Sequence, residues 1–502
     1  MKSKHVFQFL HVSSAIKLTV FILSAALLVP LAVSCAKPDT PNTETTASAA
    51  TQGTGDTTLP ADTEITDDIP AGTDFDGETV SVLYWEDAEN TEYFTDGEKG
   101  EMVGDAIFRR NAKVEDRLKI KFEFVPTKGN SGNSENFKTT VYNNVNAGGD
   151  AYDIISAHSR AIGLTAYSGL TRELTEYPVI NLSKPWWPES LVTSSSIAGK
   201  TYFVSGDIST NLLYMMYVVF YNKNMTSDLH ITDPYTFFKD GTWTIDKLIE
   251  LSNGVYSDVD GNGIASADDR YALYSNVLHT DAFFFGSDIG GIDNSGNTLK
   301  LSEKFTGEKM GTLVEKLQTL YASPDAALGS SSGYKPVFRD GRALFIVDRA
   351  DIAISDLNEK TFDMGVLPAP KYDENQEKYL TAVGNPFSLY SVPVNASEPE
   401  RAATVIEAWA SESYRTVTPA VFEITMKTKY AEGGEDAEVY DVVRRGTVFD
   451  LSRIFWKVFS SDSAPDSLFQ KAISGTASWS TVVGNKKPLQ NTIKKIFDAF
   501  EK

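Results

Sequence analysis

The sequence predicts an α/β protein built on a parallel core sheet, and three observations carry that prediction. Strand-like and helix-like segments alternate from residue 79 onward, the pattern that lays helices over parallel strands. The chain has 502 residues, enough for two or three compact units of about 100–200 residues each. It is 41% hydrophobic and 11% aromatic, ample material for large cores.

The elements follow in order. TVSVLYW, starting at Thr79, reads as an apolar strand that ends in Trp85, Glu86 and Asp87. In GDAIFRRNAKVEDRLKI, Ile107, Val114 and Leu118 recur at spacings of seven and four on one helical face. IKFEFV alternates like a half-buried strand, and SENFKTTVYNNVNAG reads as a second helix. AYDIISAHSR then holds a short buried strand at Ile154 and Ile155 that opens into polar residues. Ligands of such sheets gather at the carboxyl ends of the strands, where Trp85 and His158 fall.

Charge and the N-terminus narrow the function classes. The net charge of −22 argues against a nucleic-acid partner, because phosphate binding needs Lys and Arg to displace counterions. Lys2, Lys4 and Lys17 precede the apolar run LTVFILSAALLVPLAV, which is short for a membrane span and reads as an export signal over residues 1–34. Ala32-Val33-Ser34-Cys35 follows and resembles the lipobox of bacterial lipoproteins, which implies a lipid-modified Cys35 as the anchor to a membrane. Loss of residues 1–34 removes three lysines and no acid, taking −22 to −25. Cys35 is the single cysteine, so an intrachain disulfide, a thiol nucleophile and a zinc–thiolate site are all excluded. Residues 35–73 are rich in Thr, Ala, Pro, Asp and Ser, the composition of a disordered linker, with a reach of roughly 30 to 40 Å.

A longer resemblance runs through the rest. YDIISA, GLTRELTEYP, GKTYFVSGD, VVFYNKNM and WTIDKLIELSNGV come in that order, followed by GGIDNSGNTLKLSE, FRDGRALFIVD, DMGVLPAPKYDENQ and LYSVPVNASEPERAATVIEAWA. This order, over nearly all of residues 75–450, is similar to the extracellular solute-binding proteins of family 1, receptors of ATP-driven (ABC) importers. The resemblance implies a two-lobed, periplasmic-binding-protein-like (type II) fold with a hinge between the lobes. Lobe 1 is expected over residues 74–215 and 385–430, lobe 2 over 216–384 and 431–502. It also implies a sugar or oligosaccharide ligand, ABC permease subunits as partners, a monomer, and no catalytic activity.

A sugar site needs aromatic platforms and a few fixed polar groups. Trp85, at the exit of the first strand, is the leading platform. Of Trp186 and Trp187 in KPWWPES one is expected to pack, Trp243 and Trp409 read as core, and Trp456 and Trp479 stay open. Glu86, His158, Arg160, Asp207, Asp348, Arg349 and Asn385 each sit beside a strand end or a Gly turn and complete the expected lining.

DVDGNGIASADD carries the most explicit chemistry. Against the EF-hand loop, Asp258, Asp260 and Asn262 fill positions 1, 3 and 5, Gly263 the turn, Ile264 the carbonyl position and Asp269 position 12. Such a donor set suits calcium, which takes roughly six to eight oxygens at about 2.3–2.6 Å. Asp in place of Glu at position 12 shortens the last ligand. A preceding helix is expected in IDKLIELSNGVY, but RYALYS after the loop reads as a strand. The ion is therefore expected to clip a loop and not to do chemistry.

Two other functions stay open. An extracytoplasmic carbohydrate-active enzyme would need paired carboxylates, and Glu86, Asp207 and Asp348 supply them if the fold brings them into one cleft. The GSSSG run around Ser331 matches a nucleophile-elbow pattern, but PDAAL before it does not read as a convincing strand. A peptide or polyamine receptor on the same fold is the third reading.

Overall fold

The alternation from residue 79 folds as a parallel sheet. Strand β1 (Glu78–Trp85), helix α1 (Met102–Leu118), β2 (Ile120–Thr127), α2 (Ser134–Asn146) and β3 (Ile154–His158) follow one another, and β1 pairs in parallel with both β2 and β3. Ile107, Val114 and Leu118 are all buried, so the spacing read from the sequence is the packing face of α1. Helix α3 (Ser159–Tyr167) starts directly at the end of β3. The computed structural model describes residues 65–296, 298–330, 333–422, 435–459, 462–484 and 486–501. The export signal, Cys35, the linker as far as residue 64, and Ser331 lie outside the described residues.

A second sheet collects the middle of the chain. It comprises β4 (Tyr217–Asn222), β5 (Tyr271–Asn276), β6 (Ala326–Gly329), β7 (Ala343–Arg349) and β8 (Met364–Leu367), with helix α4 (Ile245–Ser252) between β4 and β5. The spatial order is β8-β4-β7-β5-β6. This sheet is mixed: β5 runs parallel to β6 and β7, while β4 runs antiparallel to β7 and β8. Ala326–Gly329 is a strand where PDAAL suggested none. The chain then returns to the first sheet, where β9 (Ser388–Ser391) pairs antiparallel to β3.

Three passages of the chain lie side by side between the sheets. Met216 bridges Val383, Gly384 N donates to Met215 O at 2.6 Å, and Thr381–Ala382 pairs in parallel with Thr447–Val448. Each sheet with its helices is thus a lobe, joined to the other through this short three-stranded band.

Helix α5 (Pro399–Phe422) packs along α1 and closes the first lobe. Its Trp409 donates to Asn111 Oδ1 at 3.0 Å beneath the Arg110 guanidinium. Glu407 on the same helix accepts from both Trp186 Nε1 and Trp187 Nε1; burial outweighs these two bonds and pushes its pKa up to about 8. After α6 (Glu435–Arg445), the tail does not keep to lobe 2. Ile454 packs on Gly163 of α3 so closely that a Cβ there would meet the Ile454 carbonyl. Helix α7 (Pro465–Ile473) then packs against Glu308–Ala322 of the second lobe, and α8 (Lys486–Phe500) packs against both Lys300–Leu301 of the second lobe and α3 of the first.

The composition of residues 35–73 suggested an unbroken tether, yet its last part is fastened to lobe 1. Asp67 takes both Arg117 terminal nitrogens at 2.6 and 2.7 Å and the Ser411 hydroxyl at 2.6 Å. Ile69 is buried beside it. Buried Ile69 and one well-paired acid hold this strap without a core of its own.

Burial alone would raise the Asp67 pKa, but Arg117 and Ser411 outweigh it and hold the carboxyl at about 2. An acid whose folded pKa lies below its unfolded value adds stability at higher pH and loses it as pH falls through the folded pKa. Because Arg117 is partly exposed, Asp67→Ala should therefore cost about 2 kcal/mol at pH 7, on the order of its pKa shift. The deficit against the parent should shrink between pH 4 and pH 2 in urea titrations.

Candidate functional site

A cavity of about 550 Å³ opens where the carboxyl ends of the two sheets approach the returning tail. From lobe 1 it is lined by Glu89, Ser131, His158, Arg160, Asn385 and Pro386. Lobe 2 contributes Tyr217, the Asn276–His279 turn, Asp281, Tyr334, Lys335 and Arg349. The tail adds Trp456 and the inner face of α7, including Asp466 and Gln470.

Local chain chemistry sets each group. His158 ends β3 and caps α3, its Nδ1 accepting from Arg160 N at 3.1 Å. Burial and the nearby Arg160 keep this imidazole neutral, well below its usual pKa, so its proton sits on Nε2. Arg160 follows in the first turn of α3 and lies 4.3 Å over the Trp456 ring. Across the cavity, His279 Nδ1 faces Val347 O at 3.2 Å and Asp348 Oδ1 at 3.3 Å. Both are acceptors, so this ring protonates Nδ1 and leaves Nε2 as an acceptor. Burial lowers its pKa despite Asp348. One wall thus offers a donor histidine and the other an acceptor histidine.

Two ion pairs span the lobes. Arg349 Nη1 reaches Glu89 at 2.8 Å, and Arg160 Nη2 stands 3.8 Å from Asp466. Beneath them, Arg453 lies 3.3 Å from Asp281 and 3.8 Å from Asp466. Burial pushes the Asp281 pKa up to about 7, against the pull of Arg453.

Of the residues expected to line the site, His158, Arg160, Arg349 and Asn385 do so. Four do not. Trp85 ends its strand but is 1% exposed, its Nε1 bound to Ser388 at 3.0 Å and its ring edge-on to His158. β9 and the Gly129 turn cover a strand end that looked open from the sequence. Glu86 points to solvent and pairs with Lys128 at 3.1 Å. Asp207 is buried against Arg444, which binds both its oxygens. Asp348 is fully buried behind the lining, where it accepts from the Tyr334 hydroxyl and orients His279. Glu86, Asp207 and Asp348 therefore share no cleft, and the carboxylate pair of the enzyme reading is not assembled from them. Trp186 and Trp187 are both core, as are Trp243 and Trp409.

His279, Asp281 and Asp466 belong to the site without having been singled out, and Trp456, left open by the sequence, joins them. Trp456 is half-buried and donates to Ser467 at 2.9 Å. Its signal in the sequence was weak, because VFDLSRIFW gives no hint that the tail crosses both lobes.

The acidic loop lies apart, on lobe 2 between α4 and β5. A Ser257–Arg270 bridge closes it, with bonds of 3.0 and 3.1 Å. Carboxylate oxygens of Asp258, Asp260 and Asp269 lie within 4.8 Å of one another. Asp269 is buried and accepts from Val259 N and Ser266 N, which fixes the short side chain at position 12. Asn262 accepts from Ile264 N, and the Ile264 side chain is exposed.

No family model matches the sequence, and no curated protein does. Solved structures do match. The galacto-N-biose/lacto-N-biose I-binding protein of the ABC transporter from Bifidobacterium longum, in complex with lacto-N-biose, superposes with a TM-score of 0.56 at 14% identity, over 85% of this chain and 98% of that one. A sugar transporter from Rhizobium etli in an open conformation gives 0.57 at 12% identity, over 83% and 99%. A cyclo/maltodextrin-binding protein complexed with maltotetraose gives 0.56 at 12%, over 82% and 96%. The chain therefore has the two-lobed periplasmic-binding-protein fold of ABC-transporter sugar-binding proteins.

The two tryptophans nearest the cavity should separate by experiment. Trp85→Ala should cost about 3–5 kcal/mol in chemical denaturation, the range for a buried aromatic. Trp456→Ala should cost less than half of that. Equal losses would show that Trp456 is core as well.

Proposed function

We propose that this chain is an extracytoplasmic solute-binding receptor of an ABC importer that captures a sugar or oligosaccharide by hinge closure. The observation that carries it is a single cavity whose polar lining comes from both lobes, beside a three-stranded connection between them. Two of the superposing structures hold lacto-N-biose and maltotetraose, which supports the ligand class. Closure is a population shift: a solute touching both walls stabilises the closed arrangement that a permease recognises. His158 and Arg160 would hold it from lobe 1, His279 and Arg349 from lobe 2, with Asn385 at the edge and Trp456 as the aromatic wall. The receptor is a monomer without a catalytic cycle of its own, anchored through lipidated Cys35. Among the described residues no helix is long and apolar enough to cross a membrane.

Thermal-shift screening of the full chain against neutral and acidic oligosaccharides, and against peptides, tests this reading. A glycan should raise the melting temperature and be recovered intact, and Trp456→Ala should weaken its binding at least ten-fold. Recovery of cleaved product, or a response to peptides alone, would overturn it.

Calcium is proposed as a clip on the loop, held by Asp258, Asp260, Asn262, the Ile264 carbonyl and Asp269. Without the ion, three clustered carboxylates repel one another; with it, the loop is closed. Saturation at 100 times Kd adds about 2.7 kcal/mol of stability. Millimolar calcium should raise the melting temperature and chelation reverse it, while glycan affinity changes little. Absence of any calcium-dependent shift in scanning calorimetry would count against the clip.

A further inference from the structure

The cations lining the cavity are not equally served. Arg349 is held by Glu89 at 2.8 Å, Lys335 by Asp356 at 2.6 Å and Lys471 by the Asp462 carbonyl at 2.9 Å. Arg160 stacks 4.3 Å over the Trp456 ring and makes no side-chain hydrogen bond to an acid among the described residues. Its Nη1 donates to the Ser131 hydroxyl over 3.4 Å, its Nη2 stands 3.8 Å from Asp466, and its Nε is buried without an acceptor. The side chain is only 15% exposed, so water replaces few of the missing bonds. A guanidinium enclosed to this degree calls for acceptors, and Nη2 makes no hydrogen bond among the described residues.

A second donor stands on the same wall. His158 accepts the Arg160 backbone N–H at Nδ1, which makes its other ring nitrogen a donor on a side chain that also lines the cavity. The acids nearby do not answer this demand. Asp466 is shared with Arg453 and accepts from Ser467 N. Asp281 accepts from Gln470 at 2.8 Å and pairs with Arg453. Both carboxyls are thus engaged by Arg453 and by hydrogen bonds of their own, and neither lies within hydrogen-bond distance of Arg160.

We propose that the captured solute is a saccharide bearing a carboxylate, of the uronic-acid class, whose carboxylate is seated on Arg160 Nη2 and His158 Nε2. Planar carboxylates suit a guanidinium edge, which offers paired donors in fixed geometry. The inference rests on the receptor reading above and adds the charge of the ligand to it.

Isothermal titration of the full chain with di- and trigalacturonate, glucuronate-terminated disaccharides, hexose phosphates and the matching neutral galactose and glucose oligomers provides the test. An acidic saccharide should bind at least ten-fold more tightly than its neutral counterpart. Arg160→Gln should abolish that preference, and Arg160→Lys, which keeps the charge but loses the fork, should retain only part of it. Melting curves of both variants report whether they fold, and if Arg160→Gln does not, the Lys variant decides. Neutral oligomers binding as well as acidic ones, hexose phosphates preferred over uronates, or an undiminished preference in a folded Arg160 variant would each overturn the proposal while leaving the sugar receptor intact. Binding of no saccharide at all would overturn both.

Discussion

Arg160, Arg453, Asp281 and Asp466 meet at the base of the cavity, and the association of the lobes turns on them. Arg160 belongs to the first lobe and Asp281 to the second, while Arg453 and Asp466 come from the tail that runs over both. None of the four could be buried alone. Removal of one member of such a set typically costs about 3–5 kcal/mol, because the charge left behind has no partner. The separations of 3.3–3.8 Å are those of ion pairs that attract without locking into short hydrogen bonds. A contact of that kind orients the lobes without the rigid geometry of short hydrogen bonds.

The two histidines show how the same residue acquires opposite roles from its surroundings. A backbone N–H beside His158 makes that ring a donor, whereas the Val347 carbonyl and Asp348 beside His279 make that ring an acceptor. Both stay neutral because burial disfavours the imidazolium. Asp348 illustrates the value of the layer behind the lining: it does not line the cavity, yet it decides which nitrogen of His279 stays free as an acceptor.

Much of the fold was legible because it depends on local periodicity. The one-faced spacing of Ile107, Val114 and Leu118, the alternation in IKFEFV and the apolar run before Asp348 each specify an element without knowledge of its neighbours. The site was legible only where a lining residue adjoins a strand end that stays open, as at His158, Arg160, Arg349 and Asn385. Trp85 and Asp207 meet the same criterion, but residues more than 200 positions away, Ser388 and Arg444, bury them. Trp456 is the converse: its place depends wholly on how the tail is routed, a long-range property that no short window carries. The mixed direction of the second sheet has the same origin, since β4 enters it from the other lobe.

The strap through Asp67 and Ile69 joins the segment before β1 to α1 and α5, all within the first lobe. A pull from upstream of residue 65 therefore falls first on contacts made by Arg117, Ser411, Arg415 and Lys184 of the first lobe. The second lobe makes none of these contacts with the strap. Load on the strap would thus reach one lobe directly and the other only through the contacts that join them.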